Sequence, residues 1–206
     1  VKSKKALLII GSPMCSAFSQ LQRINFSKMS DEDVKRVQDY GKKHLEFCMQ
    51  LYRAQHRNGL YFLHEHPFGA SSWENEEVKK ILSLNDVTKV KSHMCAFGMK
   101  EGDELVKKPT GFMTNAIKLA ETLRKDCSGD HRHVVLIGGG RAKRAEVYPG
   151  ELCKQIIFGL RDQMIHDGRL GEGMIGAVDR VDEFPIDHEL YENVKFYDEF
   201  SGKELP

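Results

Sequence analysis

"LLIIGSPMCSAFSQLQ", Leu7 to Gln22, decides how this chain is read. Leu7 to Ile10 is a short apolar run, and Gly11-Ser12-Pro13 is a turn signal that ends it. An apolar run bounded in this way reads as a buried strand, here Lys5 to Gly11. One thiol, Cys15, stands just past the turn. A cysteine there is a nucleophile, a metal ligand or a small packed residue, and packing is the commonest of the three.

The residues around this stretch supply an α/β frame. Ser30-Asp31 offers a helix cap. Val34, Val37, Tyr40, Leu45, Cys48, Leu51 and Tyr52 then recur at three-to-four spacing, which predicts one long amphipathic helix over Asp31 to Arg57, stopped by Asn58-Gly59. Leu60 to His64 reads as a second buried strand. Ser72 caps a shorter helix through Leu84. Val87 to Met99 and Lys107 to Thr114 read as strands, and Ala116 to Lys125 as a helix. His133 to Ile137 reads as a strand running into Gly138-Gly139-Gly140. Pro149 opens a helix over Leu152 to Met164. Alternating strands and helices predict an α/β sheet, whose reactive groups gather at the carboxyl ends of the strands. Cys15 follows the first expected strand, and Glu65 and His66 follow the second.

The chain has 206 residues, with Lys plus Arg at 31 and Asp plus Glu at 30. This balance gives no overall drive towards nucleic acid and leaves only local basic faces to consider. Five cysteines (15, 48, 95, 127 and 153) form no close pairs, which argues for a reducing, intracellular compartment and against a disulfide scaffold. No run is long and apolar enough to span a membrane, and no signal peptide opens the chain. The start at Val1 reads as a cut from something longer. We expect one α/β domain over residues 1–167. Residues 168–206, glycine-rich and then acidic, are expected to form an extended tail or linker.

Cys15 and Glu65 are the pair with chemistry. A thiolate attacking C6 of cytosine needs a proton contact at N3, which a carboxylic acid can supply. Attack at C6 makes C5 nucleophilic, so that a methyl donor can then be used. "SPMCSAFSQLQ" resembles the Pro-Cys-x-x-Phe-Ser catalytic loop of cytosine-C5 DNA methyltransferases, with Cys15, Phe18 and Ser19 in register. "YFLHEHP" resembles the strand that ends in their Glu-Asn-Val motif, with Glu65 at the Glu position. "VKKPTGFMTNA" and "RAKRAEVYPGELCKQIIFGL" resemble a Lys-Pro-Thr segment and a C-terminal Tyr-Pro helix of small members. The resemblance covers roughly residues 5–160. "FYDEFSGKELP" resembles the acidic run-in to the reverse transcriptase of Copia-like retrotransposon polyproteins, some of which embed such a segment.

The resemblance implies a Rossmann-like class I methyltransferase fold, with only the C-terminal half of its sheet in this chain. It implies Cys15 and Glu65 as catalytic residues and Ser12, Phe18, Ser19 and His66 as substrate-binding ones. Three departures stand against it. Met14 replaces the proline before the thiol. His66 replaces the asparagine after Glu65. The usual Gln-x-Arg-x-Arg element has no counterpart at "MCAFGMK", so cationic support for the site is expected to be missing. The S-adenosylmethionine half of the sheet would precede Val1. Two functions follow. One is a DNA methyltransferase-like domain, degenerate or inactive here, that would use DNA and S-adenosylmethionine if active. The other is a domesticated, non-catalytic scaffold bound to other chains of an assembly.

Two further clusters carry candidates. "GGGRAKRAE" offers Arg141, Lys143 and Arg144 for phosphate contact, because glycine lets a phosphate approach the backbone. As a cofactor cradle the glycine triplet is a weak signal, and a turn needing positive φ explains it. "CSGDHRH" offers Cys127, His131 and His133, with Cys95 or His93 as a fourth ligand. That spacing matches no common zinc pattern, so a structural turn is the preferred reading. Trp73 is read as a loop anchor.

Overall fold

Strand β1 (Leu8–Gly11) and strand β2 (Tyr61–Pro67) run parallel, with Leu8 opposite Tyr61 and Gly11 opposite His64. They belong to a computed structural model that describes residues 6–19, 22–138 and 140–171. Between them lie the short α1 (Gln22–Phe26) and the long α2 (Asp31–Arg57). The Ser30 side chain accepts from the Asp33 backbone N–H, and Asp31, Glu32 and Asp33 place negative charge in the first turn, where the helix dipole favours it. Val37, Gly41, Leu45, Cys48, Tyr52 and Gln55 form the buried stripe of α2.

α3 (Glu76–Leu82) leads to β3 (Thr88–His93), and a small hairpin, β4 (Lys100–Glu101) with β5 (Glu104–Leu105), precedes β6 (Pro109–Thr114). α4 (Ile117–Leu123), the single-turn α5 (Arg141–Arg144) and α6 (Gly150–His166) complete the described elements. The main sheet has the order β1-β2-β6-β3. β6 is antiparallel to both of its neighbours, with Phe112 opposite Glu65 on one side and Val90 on the other. The sheet is therefore mixed: β1, β2 and β3 point one way and β6 returns between them.

Side chains alternate across the sheet and meet a helical layer on each face. Phe62 and Met113 join Leu45, Met49 and Tyr52 of α2 and Val78 and Ile81 of α3. Tyr61, Leu63, Val90 and Phe112 join Leu119 and Leu123 of α4 and Leu152 and Ile156 of α6. Burial on both faces explains why the start of β2 reads as an unbroken apolar run.

The structure revises several boundaries. β2 continues through Pro67, because β6 pairs with it as far as Pro67 opposite Thr110, so Glu65 and His66 lie within the strand and not beyond it. A 3-10 helix over Ser71–Glu74 precedes α3, whose cap is Asn75 and not Ser72. β3 stops at His93 and turns into a 3-10 helix, Met94–Phe97, closed by Gly98. His133 to Ile137 forms no strand. It makes one bridge, Leu105 with His133, and Val135 and Ile137 remain 62% and 61% exposed. The body extends to Leu170, since Arg169 donates to the Gly59 carbonyl and lies over the Tyr61 ring. The expected tail beyond residue 171 lies outside the described residues. No helix among the described residues is long and apolar enough to cross a membrane.

Candidate functional site

The parallel register of β1 and β2 puts Ser12, one residue past β1, beside Glu65 on the face covered by α4 and α6. Tyr148, just before α6, joins them. Its hydroxyl is 2.5 Å from Ser12 Oγ, and it donates to Glu65 Oε2 at 3.5 Å. Lys108 Nζ lies 3.8 Å from Glu65 Oε1 and donates to the Ala145 carbonyl at 3.1 Å. The Glu65 side chain is 8% exposed, and its Oε1 has no hydrogen-bond partner. A buried carboxylate oxygen without a hydrogen bond is costly, and native proteins keep few of them. Tyr148, itself bonded to Ser12, holds Oε2 and leaves Oε1 as the open position.

Cys15 sits on a single helical turn at the same end of the sheet. Its carbonyl accepts from the Phe18 and Ser19 backbone N–H groups at 3.0 and 2.9 Å. Met14 N–H donates to His44 Nδ1 at 3.4 Å. α2 approaches this turn so closely that a Cβ on Gly41 would meet the Ala17 Cβ at 2.3 Å, so a side chain there would displace the thiol loop. The thiol is partly exposed. Burial pushes its pKa up, Lys108 opposes that, and the Glu146 and Glu65 carboxylates add to it. Cys15 thus shares one electrostatic environment with Glu65 and Lys108.

His66 faces the other way, as strand alternation requires. Its Nδ1 shares a hydrogen bond with Ser72 Oγ, and its ring stands edge-on to Phe18 at 5.7 Å. Burial lowers it to about 4, opposed by the nearby Pro13 and Met14 backbone. Expected as a substrate contact beside Glu65, His66 instead supports the thiol loop from beneath through Phe18. His64 lies on the same side, 3.1 Å from the Tyr52 hydroxyl, and burial holds it well below its usual range. Ser19 contributes its N–H to the Cys15 turn. Beside it a cleft of about 510 Å³ is lined by Phe18, Ser19, Phe68, Trp73 and Lys89. The Trp73 indole donates to the Pro67 carbonyl at 2.8 Å, the anchoring role expected of it.

The basic cluster is largely committed to internal partners. Arg144 grips the Glu101 carboxylate through Nε and Nη2, Lys143 pairs with Glu146 at 2.8 Å, and Arg141 donates to the Val135 carbonyl at 3.4 Å. Arg144 in particular is not available to a phosphate without losing that pair. The ligand-type residues Cys127, His131 and His133 do come together, and Cys95 joins them. His93 does not. It accepts instead from the Cys127 backbone N–H at 3.1 Å.

Lys108 and Tyr148 contact Glu65 and do not stand out in the sequence as site residues. Both stood inside quoted segments, but only the antiparallel return of β6 brings Lys108 to the end where β1 and β2 finish. Lys108 places a cation beside Glu65, drawn from a different element. Comparisons of the chain with protein-family models, with curated proteins and with solved structures give no match.

Proposed function

We propose that these residues form the nucleophile half of a cytosine-C5 methyltransferase-like site, acting on a base turned out of DNA. The carrying observation is the open Glu65 Oε1, buried in the environment it shares with Cys15. In this reading the Cys15 thiol gives its proton to solvent and Sγ bonds to C6 of the ring. The C5–C6 double bond opens, its electron pair spreads to C5 and N3, and Glu65 supplies the contact at N3. Lys108 stabilises the thiolate, and Tyr148 with Ser12 fixes the carboxyl orientation. The strand order supports the same reading. Among the described residues β1 is an edge strand with Ile10 46% exposed, where the cofactor half of a Rossmann-like sheet would continue.

S-adenosylmethionine does not fit on the described residues. Gly138 and Gly140 follow an unpaired segment and lead into a single helical turn, with no strand to hold a cofactor cradle. The reading therefore stops at the covalent adduct. An oligonucleotide carrying 5-azacytosine, which traps attack at C6, tests it. The expected result is a mass-shifted chain modified at Cys15, absent in Cys15→Ser and strongly reduced in Glu65→Gln. No adduct on folded chain, with or without S-adenosylmethionine, would end the catalytic reading. The scaffold reading rests on the same exposed β1 edge and would then stand, with a second chain expected on that edge.

A further inference from the structure

We propose that Cys95, Cys127, His131 and His133 bind a single structural zinc ion. Their four ligand atoms lie within 4.8 Å of one another. Cys127 Sγ is 3.6 Å from His131 Nε2 and 3.4 Å from His133 Nε2. With Zn–S near 2.3 Å and Zn–N near 2.0–2.1 Å, a tetrahedral site needs an S···N edge of about 3.5 Å. The side chains thus stand at the spacing that a shared central ion requires. Cys95 and Cys127 are free thiols, so no disulfide competes for the sulfurs.

The surroundings complete a metal site. His131 turns Nε2 to the cluster and its Nδ1 to Asp130 Oδ1 at 2.7 Å, and Ser128 Oγ in turn donates to that carboxylate oxygen at 2.5 Å. A carboxylate on the outer nitrogen fixes the tautomer and orientation of a ligating histidine. Gly129 N–H donates to Cys127 Sγ at 3.3 Å, a contact that stabilises thiolate character. Two thiolates and two neutral imidazoles around Zn²⁺ sum to zero charge. That suits a place where Cys95 is buried and the other three ligands are partly so. Four protein ligands leave no position open for substrate, so the role is structural.

The fold gives such an ion a task. The described residues between α4 and α5 form no helix or paired strand of their own. Cys95 belongs to the 3-10 turn after β3, and His133 is bridged to β5. One ion would tie two separate pieces of chain together, the Cys95 turn and the 127–133 loop, the kind of crosslink that offsets a long loop's entropy.

Metal content of the full chain, purified in reductant without chelator, tests this. We expect one zinc per chain, falling to background in Cys127→Ser and Cys95→Ser and retained in Cys153→Ser, whose exposed thiol lies outside the cluster. Cobalt should replace zinc and give the intense visible bands of a tetrahedral thiolate site, absent in Cys127→Ser. Should the cysteine variants fail to fold, the parent chain still decides: a chelator should lower its Tm, and added zinc should restore it. Folded parent chain that takes up neither zinc nor cobalt would overturn the assignment. So would full metal content in Cys127→Ser, or a Cys95–Cys127 disulfide in chain whose thiols were blocked at lysis.

Discussion

Cys15 lies between two opposing charges, and its reactivity should report both. Lys108 lowers its pKa and Glu65 raises it, against a background of burial that keeps the thiol protonated. Replacing Lys108 by Met removes the favourable charge, and replacing Glu65 by Gln removes the unfavourable one. The two variants should therefore move alkylation by iodoacetamide in opposite directions. A shift of one unit changes the thiolate population tenfold, but the intrinsic nucleophilicity of the thiolate falls with its pKa, leaving a net change of about threefold. Peptide mass spectrometry separates Cys15 from the other four cysteines. Lys108→Met should slow its labelling at pH 8, and Glu65→Gln should speed it. Slowing in both would mean that packing, not charge, governs the thiol.

Between elements, the crossing of α4 and α6 is restrained by backbone. A Cβ on Gly159 would meet the Leu119 Cα at 2.8 Å and its Cδ1 at 2.9 Å. Gly159→Ala gains helix propensity of about 1 kcal/mol, whereas overpacking against backbone that cannot rotate away costs about 1–3 kcal/mol. The cost wins, so we expect a net loss of about 1 kcal/mol, read as a lower urea midpoint at unchanged slope. A higher midpoint would show that the helices can part freely. Local signals made some elements legible and not others. Asp31–Arg57 was readable to both ends, because Ser30 and Asn58-Gly59 are strong stops. The sequence pattern of β2 ends at His64, since Glu65 and His66 look like loop residues until β6 pairs with them. Residues 133–137 look like a strand, but strand propensity without a partner makes none. The position of Cys15 just past β1 is legible in the sequence, whereas Glu65 lies inside β2 and not at its end. Lys108, Tyr148 and the junction of Cys95 with Cys127 depend on pairings between distant segments, and no local pattern encodes those.

For the whole molecule, burying neutral histidines in the central strand ties stability to pH. His64 and His66 both have pKa values lowered chiefly by burial, His66 to about 4. Unfolded, each titrates near 6.5, so between those values the unfolded chain binds more protons than the native one. The stabilisation is complete above about pH 6.5 and is lost as pH falls towards 4, by on the order of 3 kcal/mol for His66 alone. Against a domain stability of about 5–15 kcal/mol this is a large share. Asp167, held to about 2 chiefly by its hydrogen bond from Tyr61, acts in a lower and separate window. Urea midpoints should therefore hold steady from pH 8 to 7 and fall between pH 6.5 and 5. His66→Gln removes one titrating group, so its midpoint should start lower at pH 8 and decline less steeply. The difference in slope separates His66 from every other acid-labile group, including the histidines of a metal site. NMR of the histidine ring protons provides a check that does not require a variant: the His66 signal should show no titration above pH 5. A midpoint at about pH 6.5 for that signal would mean that water reaches the ring and that the core beneath the thiol loop is open.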